Sequence, residues 1–197
     1  MLTFSQAAEN NKVVICDRLC EILTPCRRLL EIGSGTGQHA VYMAPRLPHL
    51  VWQTSELAEN LDIVHSRLEA EGADNIRSPI DLDVSSNPWP VSACDAIYSA
   101  NTVHIMSWAH VEHLFHGVGE ILEINGFLCL YGPYKYNGEF TTPSNQRFDQ
   151  WLKNNDPASG IRDFEAVDEL AQNQGLFLRE DFTMPANNQL LVWQRGL

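Results

Sequence analysis

The chain has 197 residues, 44% of them hydrophobic, which is enough to bury one sizeable core, so a single domain over residues 1–197 is expected. Thirteen Lys and Arg against 25 Asp and Glu leave a formal charge of −12, and that mean field repels nucleic-acid phosphate and anionic membrane surfaces alike. The five cysteines are odd in number and contain no CxxC pair, which argues against a disulfide framework and a zinc site and suits a cytoplasmic protein without a metal.

The N-terminal stretch "MLTFSQAAENNK" has no basic segment followed by an apolar run, so neither an export signal nor a membrane anchor is expected. Its polar part, "SQAAENNK", reads either as a lid ahead of the first helix, with Asn11 as a cofactor contact, or as a frayed terminus with an Asn cap. Apolar spacing predicts that helix over 13–23, ending before Pro25, with Cys16 and Cys20 on one face as small buried hydrophobes. Short apolar runs at 28–32, 50–55, 76–84, 95–101 and 127–132 then read as strands. Helical patterns over 37–47, 59–72 and 108–126 separate them, the last closing on Asn125-Gly126 as a helix end. This alternation predicts an α/β fold, doubly wound around a mostly parallel sheet. From about residue 133 the chain turns polar and rich in Asn. A helix near 165–174 follows, then strands over 176–184 and 189–195 joined by Pro185-Ala186-Asn187-Asn188, an antiparallel hairpin at one sheet edge that brings the total to six or seven strands.

"LLEIGSGTGQHA", at 29–40, places a glycine loop directly after the first strand, where an open parallel sheet binds its ligand. A dinucleotide fingerprint reads GxGxxG and aims a helix N-terminus at a pyrophosphate. Here the spacing is Gly33, Gly35, Gly37, and Glu31 stands inside the strand. An acid there opposes a pyrophosphate but suits the ammonium and sulfonium of S-adenosylmethionine, which carries no phosphate. Glu56, about twenty residues past the last glycine, is placed to accept from ribose hydroxyls. In "DLDV", Asp83 is the candidate for the adenine amine and Asp81 the competitor on the same strand face. Asn101 and His104, in "SANTVHIMSW", fall at the lip of the pocket. Asn101 is followed by Thr102-Val103-His104 and not by the two prolines and aromatic ring that methylation of a nucleobase amine leads one to expect.

Together these residues resemble the class I S-adenosylmethionine-dependent methyltransferases. More narrowly, the chain is similar to the methyltransferase-like 26 group of small proteins through "AAENNK", "LEIGSGTGQHA", "LVWQTSE", "ANTVHIMSW", "YGPYKYNGEFTTPSNQRFD", "GIRD" and "MPANNQLLVW", which run from residue 7 to residue 193. The resemblance implies the seven-stranded, Rossmann-like methyltransferase fold and its cofactor, and assigns no acceptor. One departure is Glu56, where the class usually has Asp.

Methyl transfer at a sulfonium is an in-line displacement for which a general base is optional. His104 is the residue whose ordinary pKa suits a base near neutrality, and a packed structural histidine is the competing reading. Tyr131, Tyr134, Asn145, Arg162, Asn187 and Asn188 are the expected acceptor side, suited to a small polar molecule with Arg162 available for a carboxylate. The leading expectation is therefore a small-molecule methyltransferase. A cofactor-binding module acting through a protein partner without catalysis is the alternative, and a nicotinamide-dependent reductase the third.

Overall fold

In the computed structural model, which describes residues 2–197, the expected alternation of strand and helix is realised. Residue 1 of the expected 1–197 domain lies outside the described residues. The elements run α1 (Gln6–Ile22), β1 (Arg28–Ile32), α2 (Gln38–Met43), β2 (Val51–Glu56), α3 (Leu61–Glu71), β3 (Ile76–Asp81), β4 (Cys94–Ala100), α4 (Trp108–Ile121) and β5 (Leu122–Gly132). They continue with β6 (Tyr134–Tyr136), β7 (Glu139–Phe140), α5 (Pro143–Asn155), β8 (Arg162–Asp163), α6 (Phe164–Asn173), β9 (Leu176–Met184) and β10 (Asn188–Arg195). One sheet has the order β3-β2-β1-β4-β5-β10-β9. Its first five strands are parallel, and β10 runs antiparallel to both β5 and β9. The result is the mostly parallel seven-stranded α/β fold with an antiparallel edge hairpin.

Strand alternation divides the core in two. In β1, Leu30 and Ile32 face the layer of α4 and α6, joining Val111, Leu114, Phe115 and Val167. Leu29 faces the opposite layer, where Ile15 and Leu19 of α1 and Met43 of α2 meet Trp52 and Tyr98. Glu31 follows Leu29 by two residues and so points into the α1 layer. Both faces of β1 and β4 are covered, which explains why these strands read as near-continuous apolar runs.

Three features correct the sequence expectations. First, α1 begins seven residues before residue 13, because Ser5 caps it by accepting from the Ala8 N–H at 3.2 Å, while Gln6–Asn10 and Lys12–Glu9 bonds knit its polar first turns. The "SQAAENNK" stretch is thus helix, not a loop lid. Its apolar period starts late because the first two turns face a cavity instead of the core. Second, Asn125-Gly126 does not end a helix. α4 stops at Ile121, and Asn125, at φ +67°, sits in a bulge of β5 opposite the register shift of β4. A side chain at Gly126 would collide with the Asp95 carbonyl. Third, the polar segment after residue 132 holds α5 and a second, three-stranded sheet of order β7-β6-β8. Asn137-Gly138, both at positive φ, makes the two-residue hairpin turn between β6 and β7. Among the described residues no helix is long and apolar enough to cross a membrane.

Gly117, in mid-α4, packs against the buried indole of Trp89, whose N–H donates to the Val84 carbonyl at 3.2 Å. Ala in place of Gly gains about 1 kcal/mol of helix propensity. A Cβ at this position overlaps the Trp89 ring, and overpacking of this kind costs about 1–3 kcal/mol. Gly117→Ala is therefore expected to lower stability in urea unfolding, against the direction that helix propensity alone predicts.

Candidate functional site

The strand order reverses between β1 and β4, so the loops leaving their carboxyl ends diverge and open a crevice. The glycine loop after β1 forms its floor. At Gly33, with φ +70°, an added Cβ would lie 2.6 Å from the Thr102 methyl, so the loop after β4 packs directly on the glycine. The same Cβ at Gly35 meets open space, because this glycine faces the cavity.

Two carboxylates tie the loop down. Glu56, at the end of β2, accepts from the Gly35 N–H at 2.7 Å and the Leu57 N–H at 3.0 Å. Glu31 is 2% exposed and accepts from the Ser34 hydroxyl and the Trp52 indole N–H, each at 3.0 Å. Ser34 in turn bonds to Ser55 of β2 through its N–H and its Oγ. Burial pushes the Glu31 carboxyl up to about 7, the Trp52 and Ser34 bonds oppose that shift, and the charge of Glu56 adds to it. Glu31 thus lies beneath the loop and outside the cavity walls, as does Gly37, which instead starts α2 above the Arg67 side chain.

A cavity of about 580 Å³ opens over the loop. Gly33, Gly35, Glu56, Asp83 and Asn101, all named from the sequence, are brought together in its walls. Asp83 lies just past β3, and its Oδ1 takes both the N–H and the hydroxyl of Ser85, at 2.8 and 2.7 Å, which leaves Oδ2 free. These bonds, the backbone one foremost, hold its carboxyl below the usual range, with burial opposing and His110 and His113 assisting. Asp81 ends β3 exposed and outside the walls. Asp156 is a third acid in the lining, and no Lys or Arg lines the cavity among the described residues. Leu57 and Ile105, which are among the exposed large hydrophobic residues of the chain, also line it.

A second cavity of about 480 Å³ meets the first at Asn101, which lines both. Asn101 adopts φ +60° and donates its N–H to the Tyr131 carbonyl, turning the chain out of β4. Tyr131, Asn145, Asn187 and Asn188, grouped together from the sequence, line this second cavity. Asn11 lines it too, so the structure moves that residue from the cofactor side to the neighbouring cavity.

Three further expectations are corrected. The Arg162 guanidinium donates through Nε and Nη2 to the carbonyls of Val103, Met106 and Ala158, which leaves it stapling the loop after β4, and it lines neither cavity. Tyr134 is fully packed in the α4-side core and lines neither cavity. His104 is 5% exposed, packs edge-on against Phe148 with ring centroids 5.4 Å apart, and lies behind the second cavity instead of at its lip. Burial, then the Arg162 charge, bring its imidazole down to about 4. Such a group takes up a proton poorly near neutrality.

Sequence reasoning missed Leu57, Ile105, Met106, Ser107 and His110 in the first cavity and Phe148 in the second. A signal existed for some of them. Ser107 is a helix N-cap whose Oγ lies 2.6 Å from His110 Nδ1, and "HIM" is an apolar run in a loop directly after a strand end. Phe148 had no local mark, since its helix lies within the polar, Asn-rich stretch that follows residue 132.

The model of one family, described as "Protein of unknown function (DUF938)", matches residues 2–195, and the chain belongs to that family. Its fold is similar to that of an O-methyltransferase family protein from Burkholderia thailandensis, with a TM-score of 0.83 and 14% identity over 96% of this chain and 57% of the other. It is also similar to human N-acetylserotonin methyltransferase in complex with SAM, with a TM-score of 0.81 and 13% identity over 98% of this chain and 53% of the other. An O-methyltransferase family 2 protein from Planctomyces limnophilus in complex with apigenin gives a TM-score of 0.79 and 16% identity, over 96% and 60% of the two chains. At these identities the likeness is one of fold. The chain spans less than two thirds of the length of each of these proteins.

The buried Glu31 makes a stability prediction. Unfolded, its carboxyl ionises near the ordinary 4.5, whereas folded it keeps its proton to about 7. Between those values the folded state binds more protons, so this group's contribution to stability falls as pH rises through that window. Glu31→Gln keeps an oxygen for Trp52 and Ser34 and cannot ionise. In urea unfolding without ligand, the variant is expected to be more stable than the parent by about 1–3 kcal/mol at about pH 8 and equal to it at about pH 4.

Proposed function

We propose that this member of the DUF938 family is a cytoplasmic S-adenosylmethionine-dependent methyltransferase that acts on a small polar molecule. The observation that carries the reading is a nucleoside-sized cavity with three acids and no Lys or Arg in its described walls, opening at Asn101 into a second polar cavity. A dinucleotide's ribose would suit Glu56 equally, but its pyrophosphate would enter a cavity that Asp83 and Asp156 also line, with no cation in the described walls to offset the charge. A nucleoside that carries positive charge and no phosphate suits the same walls. The resemblance of residues 7–193 to the methyltransferase-like 26 group supports the same cofactor, as does the fold shared with O-methyltransferase family proteins.

The donor and acceptor set fits S-adenosylmethionine part by part. Glu56 has lone pairs left after its bonds to the Gly35 and Leu57 N–H groups and would take the ribose hydroxyls. Asp83 Oδ2 would take the adenine amine, while exposed Leu57 and Ile105 would cover the faces of the base and so give up their contact with water. Glu31 sits under the loop with its proton held by burial, and a cationic amino-acid group above it would favour the ionised form, directly or through water.

Bound, S-adenosylmethionine supplies a methyl carbon already activated by a sulfonium, so transfer calls chiefly for alignment and exclusion of water. Asn101 stands at the junction where donor and acceptor would face each other. Phe148, Pro133 and Val14 give the second cavity apolar walls that keep water from the acceptor. With His104 held neutral against Phe148 and no His, Asp, Glu or Lys in the described walls of the second cavity, an O–H or N–H acceptor would pass its proton to solvent.

Calorimetric titration of the purified protein tests the reading. S-adenosylmethionine and S-adenosylhomocysteine are expected to bind and NADH is not, and Glu56→Ala is expected to weaken binding at least about tenfold, since a hydrogen-bonded carboxylate is worth more than 1 kcal/mol. Binding of NADH alone to folded protein would overturn it.

A further inference from the structure

The second cavity presents hydrogen-bonding groups of fixed polarity. Asn145 is 6% exposed and donates both amide hydrogens within the protein, to Thr141 Oγ1 and to the Asn187 carbonyl, each at 2.9 Å. A backbone carbonyl only accepts, so the amide cannot be flipped and Oδ1 is the polar atom it has left for the cavity. Asn188 is fixed likewise, its Nδ2 donating to the carbonyls of Pro185 and Ala186 at 3.2 and 3.4 Å. Its side chain also meets the Tyr131 hydroxyl, and its Oδ1 is the second acceptor in the lining.

Asn11 has the opposite polarity. Its Oδ1 lies 2.7 Å from His39 Nε2, and His39 Nδ1 lies 3.1 Å from the Tyr98 hydroxyl. Burial keeps this imidazole neutral, so it carries one N–H; the ring also donates to the backbone carbonyl of Ala8, on the same helix as Asn11, which puts that hydrogen on Nε2 and leaves Nδ1 to accept from Tyr98. The chain Tyr98–His39–Asn11 therefore turns the Asn11 Nδ2 hydrogens away from the core, toward Tyr131 and the cavity.

Resting on the reading of this cavity as the acceptor site, we propose that it selects an uncharged molecule bearing a carboxamide or hydroxyl. The N–H or O–H of that group is held by Asn145 Oδ1 and Asn188 Oδ1, its oxygen by Asn11 Nδ2, and its apolar body lies on Phe148. No charged side chain lines the cavity among the described residues, so an ion would be desolvated without a counter-charge. A carboxylate would in addition set its lone pairs against those of Asn145 and Asn188. A cation would lie next to the sulfonium of the cofactor cavity. His39 is a positioning residue here, acting through the orientation of Asn11.

The test uses benzamide, benzoate and benzylamine, which share a ring and differ in head-group charge, titrated by NMR into protein saturated with S-adenosylhomocysteine. Benzamide is expected to bind at least about tenfold more tightly than either ion. Asn145→Leu is expected to erase that preference, and His39→Phe to shrink it without changing S-adenosylhomocysteine affinity, which a general loss of structure would lower. Should Asn145→Leu fail to fold, Asn11→Asp decides, because it keeps the oxygen for His39, replaces the donor with charge, and is expected to favour benzylamine. Equal or tighter binding of an ion, undetectable binding of benzamide, or a preference untouched in the folded variants overturns the proposal. Failure of wild-type protein to bind S-adenosylhomocysteine sinks the methyltransferase reading instead, and the ranking of the three probes without it still judges the polarity of the cavity.

Discussion

The reversal of strand order between β1 and β4 is the constraint on which the rest of the molecule depends. Because the chain leaves β1 toward β2 on one side and returns through β4 on the other, helices must cover both faces of the sheet. The loops at the carboxyl ends of the two strands part, and their backbone groups face a crevice instead of each other. Each wall of that crevice belongs to a loop anchored in the sheet: the glycine loop by Glu56 and Ser34, and the loop after β4 by Thr102 packed on Gly33 and by Arg162. A site built on such anchored loops costs little further ordering when a ligand arrives.

The same alternation that builds the two cores distributes charge between them. Ile32 enters the α4 layer beside the cavity, whereas Glu31 enters the α1 layer beneath it, where water cannot reach. Burying an acid there is unfavourable while it is ionised, and two hydrogen bonds offset that only in part. The acid is compatible with the fold because burial lets it keep its proton up to about pH 7. Asp83 and Glu56, held by N–H groups at the rim, are satisfied acceptors with lone pairs to spare. The two cavities thus divide the chemistry, one lined by acids and the other by neutral carboxamides, with Asn101 between them.

Those carboxamides owe their orientation to distant partners. Asn145 is pinned by the backbone of Asn187, 42 residues away, and Asn11 by His39, 28 residues away. The appendage of β6, β7, β8 and α5 therefore does more than cover the sheet edge. It brings Phe148 and Asn145 against the turn before β10 and takes Arg162 out of the site by engaging it with carbonyls of the loop after β4.

What the sequence determined by itself was everything set by local period and local spacing. Apolar runs separated by amphipathic stretches specify the parallel strands, and β9 is legible residue for residue over 176–184. The spacing of Gly33 and Gly35 and the positions of Glu56, Asp83 and Asn101 at or just past strand ends specify five residues of the first cavity, since an open parallel sheet binds its ligand beyond the carboxyl ends of its strands. The hairpin at Asn137-Gly138 was equally legible from its dipeptide and went unread. Only the tertiary structure decided that Arg162 and His104 are packed away, that Tyr134 is core, that Asn11 belongs with the second cavity, and that Phe148 lines it. The physical reason is that loops, two- or three-residue strands and polar helical turns carry too little apolar period to reveal which way a side chain points. Its role is fixed by whichever donor, acceptor or ring the fold brings to it from tens of residues away.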